Sequence, residues 1–206
     1  MVEAKQPKET YVMSRYRPDH KEATRRRMID ASARRFKCDG FDGAGISTLV
    51  GDAGLTNGAF YGHFASKDDL IATVVGEQIG AQVVIVESLP PGLESLKAFV
   101  GEYLSPKHRD DPGDGCPSAA LLDEITRQSH AAREAYTEGA KGMIAAIARL
   151  LDSADAHTAQ DRAIGLYTLL VSSLQLSRAV TDRKLSDRIL ASAYRNAMAL
   201  IGSTSS

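Results

Sequence analysis

Residues 54–64 read GLTNGAFYGHF, and three of the five positions from Phe60 to Phe64 are aromatic in a chain that is only 6% aromatic. One glycine and a histidine, Gly62 and His63, interrupt them. A buried segment has little use for Asn57 and His63, so the stretch must divide its side chains by direction. Phe60 and Phe64 stand at i and i+4, one apolar edge of a short helix that can lie on Leu49 and Val50. Thr56, Asn57, Gly58 and Ala59 lead that helix, with Thr56 a candidate cap. Tyr61 and His63 then fall on other faces.

Upstream, ISTLVGDAG (46–54) offers Ile46, Leu49 and Val50 as one short apolar face and ends at Gly54. The turn between these two short helices is about three residues, as in a helix-turn-helix. Before it, CDGFDGAG (38–45) is a glycine-rich loop. A longer helix runs from an Asp19 cap after Pro18, through HKEATRRRMIDASARRF. Ile29, Ala33 and Phe36 form its apolar face, and Arg25, Arg26, Arg34 and Lys37 lie opposite.

A helix that reads DNA enters the major groove N-terminal end first, and residues there are small or polar. Thr56, Asn57, Gly58 and Ala59 suit that position, with Asn57 matched to an adenine edge and the Thr56 or Ala59 methyl to a thymine methyl. Tyr61 and His63 can donate to phosphates, as can Ser47 and Thr48 at the start of the preceding helix. Lys67 adds charge at the start of the next helix, whose cap is Ser66. Charge agrees: residues 1–67 carry 12 Lys+Arg and 8 Asp+Glu, a net +4, and the remaining 13 and 18 give −5. A basic front suits a polyanion.

The stretch GFDGAGISTLVGDAGLTNGAFYGHFASKDDLIATVV resembles the DNA-binding domain of the TetR family of bacterial transcriptional regulators. The resemblance rests on the run from Phe36 to Phe41, on Ala53-Gly54-Leu55, and on Gly58 to Lys67. It implies a three-helix domain whose Thr56, Asn57 and Gly58 read bases and whose Tyr61, His63 and Lys67 meet phosphates. It places Ser47 where some relatives have a groove-facing arginine. Ala44 and Gly45 depart from the threonine common there, and Gly51 sits mid-helix at a cost of about 1 kcal/mol relative to Ala.

Beyond Lys67 the chain is helical by pattern. SKDDLIATVVGEQIGAQVVIV, GLESLKAFVGEYL, CPSAALLDEITRQ, SHAAREAYTEGAKGMIAAIARLLD, AQDRAIGLYTLLVSSLQLSRAV and SDRILASAYRNAMALI read as helices, and SPKHRDDPGDG (105–115) reads as a loop. The expected fold is all-α with about nine helices. Residues 1–18 form a flexible arm, 19–67 the helix-turn-helix domain, 68–202 a helical ligand-sensing and dimerisation domain, and 203–206 a disordered tail. One recognition helix reads few bases, so such regulators pair. Two stripes offer themselves for pairing into a homodimer: Ile189, Ala193, Ala197 and Leu200, and Leu166, Leu170 and Leu174. The family resemblance implies a small-molecule inducer in the rear domain, with Phe99, Tyr103, Leu122, Ile125, Tyr136, Met143 and Tyr167 as candidate lining; each serves equally well as core.

Cys116 opens a helix before Pro117, a place that lowers a thiol's pKa, although Asp110, Asp111 and Asp114 oppose that. It is a candidate sensor thiol, and the alternative is an inert buried one. Two distant cysteines, Cys38 and Cys116, make no disulfide framework and suit a reducing, cytoplasmic setting. The expectation is therefore a ligand-responsive repressor on double-stranded operator DNA, without enzyme activity, cofactor, metal or membrane span. A repressor that senses electrophiles or oxidants through Cys116, and a helical binding module without DNA, are the alternatives.

Overall fold

The computed structural model describes residues 16–151 and 155–202. Most of the expected arm and all of the expected tail lie outside them. Ten α-helices and no strand are found among the described residues: α1 Tyr16–Asp39, α2 Ile46–Asp52, α3 Asn57–Phe60, α4 Lys67–Glu87, α5 Leu93–Tyr103, α6 Pro106–Asp110, α7 Pro117–Ile125, α8 His130–Leu150, α9 Ala156–Ala179 and α10 Arg183–Gly202. The all-α reading holds, and two details need correction. α1 starts at Tyr16, so Asp19 is inside the helix and Pro18 occupies the first turn, where its missing N–H costs nothing. The stretch read as a loop at 105–115 contains α6, because Ser105 Oγ accepts from the His108 N–H and Pro106 sits in the first turn.

Local chemistry starts the other helices as well. Ser66 Oγ accepts from the Asp69 N–H and so caps α4, and the Asp69 carboxylate accepts from the Ala65 N–H just before the cap. Ser129 caps α8 through the Ala132 N–H, and Asp155 caps α9 through the Thr158 N–H. Thr56 and Gly45 occupy cap positions without a side-chain cap bond.

Two hydrophobic clusters carry the fold. The front one joins Phe36, Phe41, Leu49, Val50, Phe60 and Phe64 to Leu70, Ile71, Val74 and Val75 of α4, and to Leu121 and Ile125 of α7. The rear one gathers α5, α8, α9 and α10 around Leu96, Val100, Ile147, Leu166, Leu170 and Leu174. α4 feeds both, with Val86 in the rear cluster. By length and apolarity alone α4 could cross a membrane. Here Leu70, Ile71, Val74, Val75, Ile79 and Val86 are instead packed inside the protein. α4 lies very close to α8, since a Cβ on Gly139 would stand 2.1 Å from Ile79 Cγ2.

Most of both stripes read as pairing surfaces turns inward, although Ile189 and Leu200 are half-buried and Leu200 lines the outer groove between α9 and α10. Ala193 and Ala197 are buried in the rear core with Leu190 and Ile201, and Leu166, Leu170 and Leu174 are fully buried. Their small or branched side chains let α9 and α10 approach each other within one protomer. The outward side carries Ile164, Gly165, Thr168, Ser172 and Leu176 on α9 and Asn196 and Ala199 on α10. An open, mainly apolar groove of 680 Å³ runs between them.

Candidate nucleic-acid interface and cavity

α3 is a single turn that stands on two buried rings. Phe60 is 0% exposed and Phe64 2%, their centroids 5.7 Å apart, and both lie in the front cluster with Leu49 and Val50. Packing rather than propensity must hold so short a helix. Tyr61, edge-on to Phe60 at 5.2 Å, is 69% exposed, the most open large hydrophobic side chain among the described residues. Thr56, Asn57 and Gly58 are exposed and Ala59 half-buried; Ser47 and Thr48 of α2 are exposed too. A Cβ on Gly58 would meet nothing within 4 Å, so the start of α3 is clear. Lys67 is half-buried.

His63 departs from the expectation of a simple surface donor. It is half-buried, its Nδ1 has no partner, and burial first, then Lys21 and Arg25, hold its pKa below the usual imidazole value. The ring is neutral and, with its proton on Nε2, still has one N–H to give. Arg25 lies 4.6 Å over the Phe64 ring. Lys21 and Arg25 thus bring positive charge to α3, a role that Lys21's place in a run of mixed charge did not reveal.

The rest of the basic face on α1 is committed internally. Arg26 pairs with Asp30 and Glu77, Arg35 with Asp39 and Asp52, and Arg34 with Asp114. Lys37 Nζ donates to Gln78 Oε1 and to the Gly115 carbonyl. Phe41 N–H donates to Glu124 Oε2 at 2.7 Å. The end of α1 is therefore braced against residues 114–124, the beginning of the rear half.

Asp114, Gly115 and Cys116 of that stretch also wall a cavity of 390 Å³ with residues of α4, α5 and α6. Phe99 and Tyr103 line it with Ile85, Lys107, His108 and Cys116. The other expected lining residues are elsewhere. Leu122, Ile125 and Tyr136 border a separate groove near Lys141. Met143 is buried in the rear core. Tyr167 is also in that core, and its hydroxyl shares a 2.6 Å hydrogen bond with Ser118 Oγ, to which Tyr136 OH donates. Burial keeps Tyr103 and Tyr167 protonated far above the usual phenol range. Cys116 is 3% exposed and Cys38 exposed. Among the described residues no group of His, Cys, Asp and Glu is placed to hold a metal.

An all-helical frame that presents a two-helix turn, with the second helix exposed at its N-terminal end and seated on a shared core, is a helix-turn-helix protein. Residues 28–74 match the sequence model for the bacterial regulatory proteins of the tetR family. It is 26% identical over 123 residues to the HTH-type transcriptional regulator LmrA of Bacillus subtilis strain 168, a match that takes in 57% of this chain and spans 65% of that relative. The fold is similar to that of the reduced form of NemR from E. coli, with a TM-score of 0.75 at 20% identity over 89% of this chain and all of the other. It also resembles FadR from Bacillus subtilis, solved with stearoyl-CoA, with a TM-score of 0.60 at 16% identity over 87% and 99% of the two chains.

Proposed function

We propose that this protein is a dimeric transcriptional regulator of the cytoplasm, released from operator DNA when a small molecule occupies its rear half. The observation that carries this reading is the exposed turn of α3, with Thr56, Asn57, Gly58 and Tyr61 facing out from the buried Phe60 and Phe64. Thr56, Asn57, Gly58 and Ala59 read base edges. Ser47, Thr48, Tyr61, His63 and Lys67, with Lys21 and Arg25 beside them, meet phosphates. A second copy covers the apolar groove between α9 and α10, spacing two α3 helices by about one DNA turn, roughly 34 Å. The inducer enters the 390 Å³ cavity beside Phe99 and Tyr103. The regulator acts as a repressor in this reading, its release from DNA by the ligand freeing the promoter.

The test is a mobility-shift titration on the DNA upstream of its own coding sequence, repeated across salt concentrations. Affinity falls steeply with salt where phosphate contacts dominate. Tyr61→Ala weakens binding to every sequence, and Asn57→Ala changes base preference, each by about 1–3 kcal/mol. Absence of any shift at low salt would defeat the reading. Unchanged preference in Asn57→Ala would move the base-reading surface elsewhere.

One observation favours a second reading of the trigger. Cys116, although only 3% exposed, is among the residues that line the cavity, and the NemR structure to which this fold is similar is of a reduced form. In that reading a soft electrophile or oxidant modifies Cys116. Cys116→Ser separates the two: a variant that still leaves DNA on peroxide treatment has another sensor.

A further inference from the structure

His108 makes two hydrogen bonds that fix its state. Nδ1 lies 2.8 Å from the Tyr103 carbonyl, which can only accept, so Nδ1 carries a proton. Nε2 lies 3.0 Å from the backbone nitrogen of Cys116, which can only donate, so Nε2 carries none. The ring is a neutral bridge from α5 to the first residue before α7. It also fills the space over Gly115, where a Cβ would stand 2.7 Å from Nε2.

The segment that His108 holds is the one that braces α1. Gly115 gives its carbonyl to Lys37, and Asp114 pairs with Arg34. A Cβ on Gly113 would meet Cys38 Sγ at 3.0 Å. Residues 113–116 are thus gripped by the DNA-binding half on one side and by one imidazole on the other.

From this geometry we infer that His108 is a proton-operated latch: protonation at Nε2 expels the Cys116 N–H, frees residues 113–116 and slackens their hold on the end of α1. An imidazolium has a donor at both nitrogens and would face another donor at Cys116. Its surroundings oppose the charge. Burial is the largest influence and holds the pKa below the ordinary value against the Tyr103 carbonyl, which favours the charged ring; Arg178 from α9 and Lys37 from α1 repel the charge, and Glu102 from α5 attracts it. Lys107, Asp111 and Asp114 line the same cavity, with Asp114 committed to Arg34.

The sign follows. The closed bridge favours the neutral ring, so its stabilisation is complete above the ordinary imidazole pKa and is lost as pH falls through the lowered value of the closed state. The latch opens in mild acid, with no need of the small-molecule ligand or of DNA.

Hydrogen exchange of the full chain tests this without relying on the regulator reading. Between about pH 7.5 and 5.5, protection corrected for intrinsic rates should fall about tenfold in residues 113–118 and, in parallel, in 34–41. His108→Gln offers an uncharged donor and acceptor in the same place and should abolish the pH dependence. Equal corrected protection at both pH values overturns the latch, as does the same loss in His108→Gln. Loss confined to 113–118 overturns the coupling to α1. Should His108→Gln not fold, the imidazole resonances of the wild-type chain decide. A titration below the ordinary value that moves the Cys116 amide supports the latch, and one that leaves that amide unmoved refutes it.

Discussion

Gly40 meets Glu124 where the two halves of the chain touch, and replacing it by alanine combines two penalties that can be separated. Its φ is +78°, a conformation that costs an L-residue about 1–2 kcal/mol. A Cβ there would stand 2.5 Å from Glu124 Oε1 and 2.9 Å from Oε2, the oxygen that accepts from the Phe41 N–H. The carboxylate must move, and a hydrogen bond to a charged group contributes about 1.5–3 kcal/mol. Gly40→Ala should therefore cost about 2.5–5 kcal/mol. Glu124→Ala removes only the hydrogen bond, about 1.5–3 kcal/mol. The same bond cannot be lost twice, so the double variant should cost no more than Gly40→Ala alone, leaving a coupling of about 1.5–3 kcal/mol. Urea unfolding of the four proteins at one protomer concentration measures this, the concentration being held because association would shift the midpoints. Strict additivity would refute the contact. A cost for Gly40→Ala well under about 1 kcal/mol would refute the backbone argument itself.

Gly139→Ala should destabilise by about 1–3 kcal/mol although alanine is the better helix former, because its Cβ would overlap the buried Ile79; Ile79→Ala should recover part of the loss in the urea midpoint. Gly51→Ala should do the opposite, gaining about 0.5–1 kcal/mol in thermal unfolding, since Gly51 lies inside α2 and its Cβ would meet nothing within 4 Å. Asp110 is bonded by Arg109 and Arg183, which hold its pKa far below the usual carboxylate range. Its contribution is present above the ordinary carboxylate value and lost as pH falls toward the lowered one, so Asp110→Asn should flatten that part of the acid limb of the stability profile.

The front half was legible because its punctuation is local. Gly40 and Gly54 take positive φ where helices end, and Phe60 and Phe64 repeat at one helical turn, so a short window contains the whole reason for α2 and α3. α6 was not legible because Pro106 and Asp111 look like breakers until Ser105 is seen to cap the turn between them. The rear stripes show the limit of periodicity. Ala193 and Ala197 announce a close neighbour but not which one, and the neighbour is this protomer's own core. The aromatic residues of the rear half behave alike: of those expected to line a pocket, Phe99 and Tyr103 border the cavity with Cys116, because contact across α4, α5 and α6 decides that, not spacing along one helix. Nor could any pattern place Glu124 against Phe41 or Lys37 against Gly115, contacts between residues some eighty positions apart in the chain.

Arg178 shows why a change in the cavity would travel toward DNA rather than dissipate. Its guanidinium donates to the carbonyls of His108, Arg109 and Ala119, tying the end of α6 and the start of α7 to α9. Burial lowers its pKa from the usual guanidinium value, yet three carbonyl acceptors satisfy it. α9 packs on α10, and their outer faces form the apolar groove proposed for pairing. With α9 held by a partner, the ends of α6 and α7 are fixed. The segment between them, 111–116, forms part of the cavity wall, and its far side rests on Arg34 and Lys37 of α1. A displacement there meets a fixed scaffold behind it and, in front, the helix that carries Phe36 into the core beneath α2 and α3. The route from cavity to α3 thus runs through one short segment and one helix, and it needs no rearrangement of the rear core.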